Sequence, residues 1–403
     1  MIDPPVAARL VGEPERQGVR GEGAVTDRRS SPEGPAVAPL RRRTLLASAA
    51  LAIGTPVATA AAAPAPQRPE PGRLPPPQSG TAVRLVAVPH QHRDVDWLRA
   101  ALQAAVEIEI ATIPPYLCGW WSVKDRKSDV AQVIQRIVFD EMYHLGVVCN
   151  LLVALDGRPR IKEGAPVYPG PLPGGVHPGA RVYLSGLTPA LVHDVMMAIE
   201  APAAPLTGSV DDPLSIGVFY EEVLKTFRAV GPELSTRRQL NERIGGDLLQ
   251  PVATLDDIEH AIEIVREQGE GTSSSPADAP GDDHVAHYYA FAEIYYGRRL
   301  RETEEGWQFT GVPVPFPDAR PMARVPAGGW DQPPPEAQRL LSAFDSTYTA
   351  VLEALDAAWA DGGPRSLNTA VRTMRRLESP AVELMEIPIP GTQETYGPQF
   401  RPN

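Results

Sequence analysis

Glu109, Glu141, His144 and Glu200 stand where helical periodicity would turn apolar side chains inward. Glu109 interrupts the series Leu98, Leu102, Val106, Ile113, Leu117 and Trp120, whose three- and four-residue steps trace one face of a helix. Glu141 and His144 occupy a second stripe, made by Val130, Ile134, Ile137, Val148, Leu151 and Leu155. Glu200 follows Val192 and Met196 at i, i+4, i+8 on a third. A carboxylate on an apolar stripe is costly to bury unless it is paired or bound to a cation. The Glu-x-x-His spacing sets a carboxylate and an imidazole on adjacent turns of one face. Helical bundles use that spacing to hold metal ions, with carboxylates from other helices completing the site. The competing reading of Glu141 and His144 is a surface pair. Glu107, two residues from Glu109, points elsewhere and reads as solvated.

A fourth ligand set looks split across a loop. Glu263, Glu267 and Glu270 lie at i, i+4, i+7 on a helix over 258–270 that ends at Gly269 and Gly271. After a polar stretch, 272–281, come His284 and His287, three residues apart. Glu267 and Glu270 both fall on the inner face. His193 is nearly in line with Glu200 but reads as a surface residue. Inward carboxylates joined by imidazoles suit iron or manganese better than soft metals, in a di-iron or a mononuclear centre. Chemistry there would be oxidative.

The elements that must position these residues are helices. The first starts at Val95, and Pro114-Pro115 is expected to kink it beyond Glu109. The second spans 130–155, the third 189–201. A fourth, 215–230, turns Ile216, Phe219, Val223, Leu224 and Phe227 inward and reads as packing alone. Residues 258–270 and a helix ending near Arg299 follow. A Pro/Gly-rich strap over 305–335 is expected to roof a substrate pocket. Helices over 336–360 and 367–385 and an extended tail complete the chain. The fold class is all-α, a four-helix bundle with additional C-terminal helices and irregular straps.

Composition narrows the functional classes. The 403 residues hold 38 Lys+Arg against 50 Asp+Glu, a formal net charge of −12, which argues against a nucleic-acid surface. The 45 prolines are expected in tails and connections rather than inside helices. Two cysteines, Cys118 and Cys149, exclude a disulfide scaffold and any cysteine-only metal site. On adjacent antiparallel helices they should be far apart and unpaired. No phosphate loop, nucleotide fingerprint or Ser–His–Asp signature occurs. Residues 1–40 read as a disordered extension. Arg41-Arg42-Arg43 followed by an Ala-rich run over 47–63 reads, within 41–66, as a twin-arginine signal peptide. That implies export, a cytoplasmic location being the alternative. The run is too short and Ala-rich for a membrane span. Residues 67–88 read as a Pro-rich linker and 89–403 as the bundle.

Several segments together resemble one family. Glu107-Ile108-Glu109-Ile110-Ala111-Thr112-Ile113-Pro114-Pro115-Tyr116-Leu117 is similar to the first-helix motif of the ferritin-like family named for iminophenyl-pyruvate dimer synthase. Glu141-Met142-Tyr143-His144-Leu145 is similar to its second motif and Ile199-Glu200-Ala201-Pro202 to its third. Gln268-Gly269-Glu270-Gly271, with His287-Tyr288, Phe291 and Glu293-Ile294, resembles the fourth. The likeness runs over roughly 90–403. It implies a ferritin-like bundle and a ligand set of Glu109, Glu141, His144, Glu200, Glu270 and His287, with Glu267 the alternative to Glu270. Larger members couple two amino-acid-derived imines oxidatively and carry a large extra domain for which this chain has no room. The expectation is therefore a non-haem iron oxidoreductase of secondary metabolism, acting on an amino-acid-derived imine or another small molecule, possible as a homo-oligomer. A metal store without organic substrate, and a degenerate bundle with a binding role, are the rivals.

Overall fold

The structure, a computed structural model, describes residues 80–207, 214–272, 274–277, 284–360 and 363–403. The extension, the signal and the linker up to residue 79 lie outside the described residues, as do residues 273 and 278–281 of the polar stretch. Helix α1 (Thr81–Val86) is followed by α2 (Val95–Ser122), α3 (Asp129–Ala154) and the single turn α4 (Ile161–Gly164). A short turn, α5 (Pro189–Leu191), runs into a π-helix over Val192–Met197. Then come α6 (Ile216–Val230), α7 (Leu255–Glu270), α8 (His287–Tyr296), α9 (Pro335–Ala360), α10 (Pro364–Met374) and α11 (Glu378–Leu384). Among the described residues the strands form two-residue and three-residue antiparallel ribbons: β1 (Gly170–Pro171) with β2 (Arg181–Val182), β3 (Glu242–Ile244) with β4 (Asp247–Leu249), and β5 (Arg301–Thr303) with β6 (Gly306–Gln308).

Helix starts are chemically marked. Asp94 accepts from the Trp97 N–H at 2.9 Å, and Ser128, Thr188 and Ser215 cap α3, α5 and α6 in the same way. Thr254 and Asp257 form a reciprocal capping box, so α7 begins three residues ahead of the expected Ile258. The core of the domain is α2 and α3 against the π-helix, α6, α7 and α8. α2 is buried on almost every side from Ala101 to Ser122, because α1, α4 and α11 cover the faces the bundle leaves open. α3 is long and apolar enough to cross a membrane, but 89% of its most apolar window is buried inside the domain.

Four sequence expectations change. Pro114 and Pro115 do not confine themselves to a connection: α2 continues through both to Ser122. Pro115 has no N–H for the carbonyl of Ala111, and the Tyr168 hydroxyl donates to that carbonyl instead, at 2.8 Å. Residues 81–86, placed in the linker, form α1 with Ala82 fully buried against the glycine-rich turn at Gly174-Gly175. The single helix over 367–385 is two, α10 and α11. Pro380 lacks a donor and falls in the first turn of α11, where none is needed. The 305–335 strap packs on the end of α2 and on the C-terminal tail, through Lys124 N–H to Asp318 O at 3.0 Å and Ala323 N–H to Thr395 O at 3.0 Å. It does not line the carboxylate cavity described next.

Candidate metal centre

Five of the sequence-derived residues meet at one place. Glu109 from α2, Glu141 and His144 from α3, Glu200 from just beyond the π-helix and His287 from the first turn of α8 are all at most 5% exposed. They form two groups: Glu109, Glu141 and His144; and Glu141, Glu200 and His287. Within each group the ligand atoms lie within 4.8 Å of one another, and Glu141 belongs to both. Nδ1 of His144 is 3.5 Å from Oε1 of Glu141 and 3.9 Å from Oε2 of Glu109. Nδ1 of His287 is 2.9 Å from Oε1 of Glu141 and 3.8 Å from Oε1 of Glu200.

The residues around the groups fit a cation. Nε2 of His144 faces Oε1 of Gln268 at 2.7 Å, and Nε2 of His287 faces Oδ2 of Asp140 at 3.3 Å. Each imidazole thus gives its Nε2–H to an acceptor and turns Nδ1 toward the carboxylates, as metal-bound histidines do. Nδ1 of His287 is buried and, despite its nearness to Glu141, makes no hydrogen bond. Three carboxylates are packed together away from water, a cost that a divalent ion offsets.

The electrostatics without a cation show the same cost. Burial, then the neighbouring Glu141, raises Glu109 to about 8. Burial and Glu141 also raise Glu200. Burial works against charge on His144, yet the hydrogen bond and charge of Glu141, with Glu109, hold it up at about 9. His287 is likewise raised, because Asp140, Glu141 and Glu200 outweigh its burial. Glu141 goes the other way: burial would lift it, but His144 and His287 pull it below the usual carboxylate range. Protons stand where positive charge is wanted.

Hydroxyl groups that the sequence reading passed over hold the carboxylates. Tyr220 donates to Oε1 of Glu109, Tyr116 to Oε1 of Glu200 at 2.5 Å, and Thr112 to Oε2 of Glu141 at 2.7 Å. Helix α6 therefore does more than pack. Tyr220 was legible only as a hydroxyl on an apolar face. Tyr116 and Thr112 lie seven and three residues beyond Glu109, one face of α2.

Glu270 lines the same cavity but stands outside both groups. Its carboxylate caps α6, taking the Gly217 N–H on Oε1 at 2.6 Å and the Ser215 hydroxyl on Oε2 at 3.3 Å. Burial raises it to about 7 in spite of those bonds. Glu267 does not line the cavity, and Glu263 is exposed. His193 is exposed and pairs with Asp194 at 2.8 Å; His284 is exposed on a different cleft. A separate, almost wholly apolar cavity lies on the other side of α2 and α3, between Ile113, Leu117, Met142 and Leu145 and the inner faces of α9 and α10.

The model of the Ferritin-like family matches residues 102–296, from α2 to the end of α8, and so spans all six expected ligands. Among curated proteins no sequence match was found. A solved structure of a ferritin-like protein from Caulobacter vibrioides is similar at 21% identity with a TM-score of 0.53, covering 74% of this chain and 97% of that one. That likeness is one of fold. The chain therefore carries a ferritin-like domain over residues 102–296, an all-α bundle whose interior holds a Glu/His cluster that could bind a metal.

Proposed function

We propose that this protein is a metal-dependent oxidoreductase with two iron ions held in the bundle, manganese being the alternative metal. The observation that carries the reading is Glu141, the one carboxylate shared by two Glu/His groups. Glu109 and His144 would hold one ion, Glu200 and His287 the other, with Glu141 between them. Glu270 is the proposed sixth ligand; it lines the cavity and has only to leave Gly217 and Ser215. Iron so held supplies one-electron chemistry toward dioxygen or peroxide. The chain's own residues do the rest. Tyr116, Tyr220 and Thr112 fix the carboxylates, Gln268 and Asp140 fix both imidazole tautomers, and burial keeps bulk water out. The motif resemblance supports a small metabolite as substrate, an amino-acid-derived imine first among them, in secondary metabolism. Export by the Arg41-Arg42-Arg43 leader is part of the same proposal.

Elemental analysis of the protein purified from iron-supplemented cells tests it. About two iron atoms per chain are expected, and fewer than one in Glu141→Gln. Metal at background in the wild type would sink the reading. Oxygen uptake with enzymatically generated aromatic imines then separates an oxidase from a store: a store takes up oxygen only with added iron(II), in proportion to it.

A further inference from the structure

The pair of segments that presents Glu200 and His287 inward also has an outer face, and a cleft of ≈ 550 Å³ opens on it. That is the size of a small-molecule site, about 300–1,000 Å³. Met197 and Ala201 flank Glu200 in sequence and Tyr288 follows His287, and all three lie in the lining of this cleft. Arg181 and Arg324 stand on the walls, both exposed. Neither is in an ion pair among the described residues, although the chain carries a net charge of −12. The guanidinium of Arg324 lies 3.4 Å from the ring centroid of Tyr183. Stacking uses the face of the guanidinium and leaves its N–H edge for an acceptor. The Tyr183 hydroxyl is buried and has no hydrogen-bond partner. Among the described residues Asp194 is the carboxylate in the lining, and it is engaged by His193.

Two guanidiniums select a planar anion, which they can grip through paired N–H donors. The unmet Tyr183 hydroxyl adds a further polar contact, and Met197, Ala201 and the ring of Tyr288 offer an apolar floor. We propose that this cleft binds a small aryl carboxylate, its carboxylate on Arg181 and Arg324 and its ring on the floor beside Tyr288. The site is distinct from the carboxylate cavity and does not depend on the metal reading. Its floor is the back of the segments that carry Glu200 and His287, so an occupant shares a wall with the metal centre.

Titration calorimetry of the full chain with phenylacetate tests this, using phenylacetamide as the uncharged analogue. Saturable binding at one molecule per chain is expected, at least tenfold tighter than for the amide. The Arg181→Gln/Arg324→Gln variant should lose tenfold or more while keeping its thermal midpoint, because both side chains are exposed. Iron-loaded and chelator-treated protein should agree within twofold. The proposal is overturned if phenylacetate does not bind saturably, if the double variant binds as well as the wild type, or if binding requires iron. Displacement by inorganic phosphate at equal concentration would overturn the aryl-carboxylate assignment.

Discussion

Glu109 and His144 carry protons near neutral pH in the metal-free cluster: burial and the Glu141 charge raise Glu109 to about 8, and Glu141 and Glu109, against burial, hold His144 at about 9. Two positive ions would displace those protons, since ligands must be deprotonated. Metal uptake at pH 7 is therefore expected to release at least one proton per chain and to tighten with rising pH. Calorimetry in buffers of different ionisation enthalpy measures it, and no buffer dependence would contradict it. Glu270 gives a second pH effect. Its carboxyl rises from an ordinary 4.5 to about 7 on folding. Between those values the folded chain holds a proton that the unfolded chain has lost, so its stabilisation is complete below 4.5 and disappears as pH climbs to 7. The window corresponds to at most about 3 kcal/mol. Glu270→Gln should flatten this part of the pH dependence of urea unfolding in chelator-treated protein. Gly217→Ala should flatten it too, since a Cβ there would sit 2.4 Å from Oε2 of Glu270 and evict the carboxylate.

At the level of elements, one asparagine joins three of them. Asn150 of α3 donates to the carbonyls of Leu240 and Gln250 at 2.9 and 3.1 Å, and accepts from the Leu240 N–H and the Trp359 indole N–H, both at 2.9 Å. It thereby ties α3 to both ends of the β3–β4 ribbon and to α9. Asn150→Ala would leave three buried polar groups and the part-buried Gln250 carbonyl without this partner, at a cost of about 2–4 kcal/mol. Denaturant unfolding reads that loss. Iron content should stay at the wild-type value, because no bond of Asn150 reaches the carboxylate cluster. The π-helix over Val192–Met197 is the other element of consequence. It stands immediately before Glu200, and π-turns recur at functional positions in helices.

Two whole-chain properties can be tested directly. Cys118 and Cys149 are buried and free, and burial raises both thiols. A thiol reagent should find almost none in the native protein and two per chain after denaturation without reductant. Detection of an intramolecular bridge would count against the α2–α3 pairing. Replacing Arg41-Arg42-Arg43 by lysines should leave the protein in the cytoplasm if the leader acts through its arginines. Cell fractionation gives the answer, and unchanged export would remove the twin-arginine assignment.

The sequence alone determined the long bundle helices and most of the inward residues, because both depend on local periodicity; α1 and the break between α10 and α11, which periodicity does not mark, it missed. Glu109, Glu141, His144 and Glu200 were found as polar interruptions of apolar stripes, and those four, with His287, are the residues the fold brings together. Periodicity has no term for what lies across a gap. Only the tertiary structure decided that Glu141 is shared, that Tyr220 and Tyr116 donate to Glu109 and Glu200, and that Glu270 caps α6. That α2 runs on past Pro114-Pro115 was legible in Leu117 and Trp120, but what satisfies the backbone there was not. The sequence marks the missing donor, but the hydroxyl that replaces it comes from Tyr168, more than fifty residues away along the chain. Spacing could place the carboxylates on a face; their partners, and so their charge, depend on packing between segments distant in sequence.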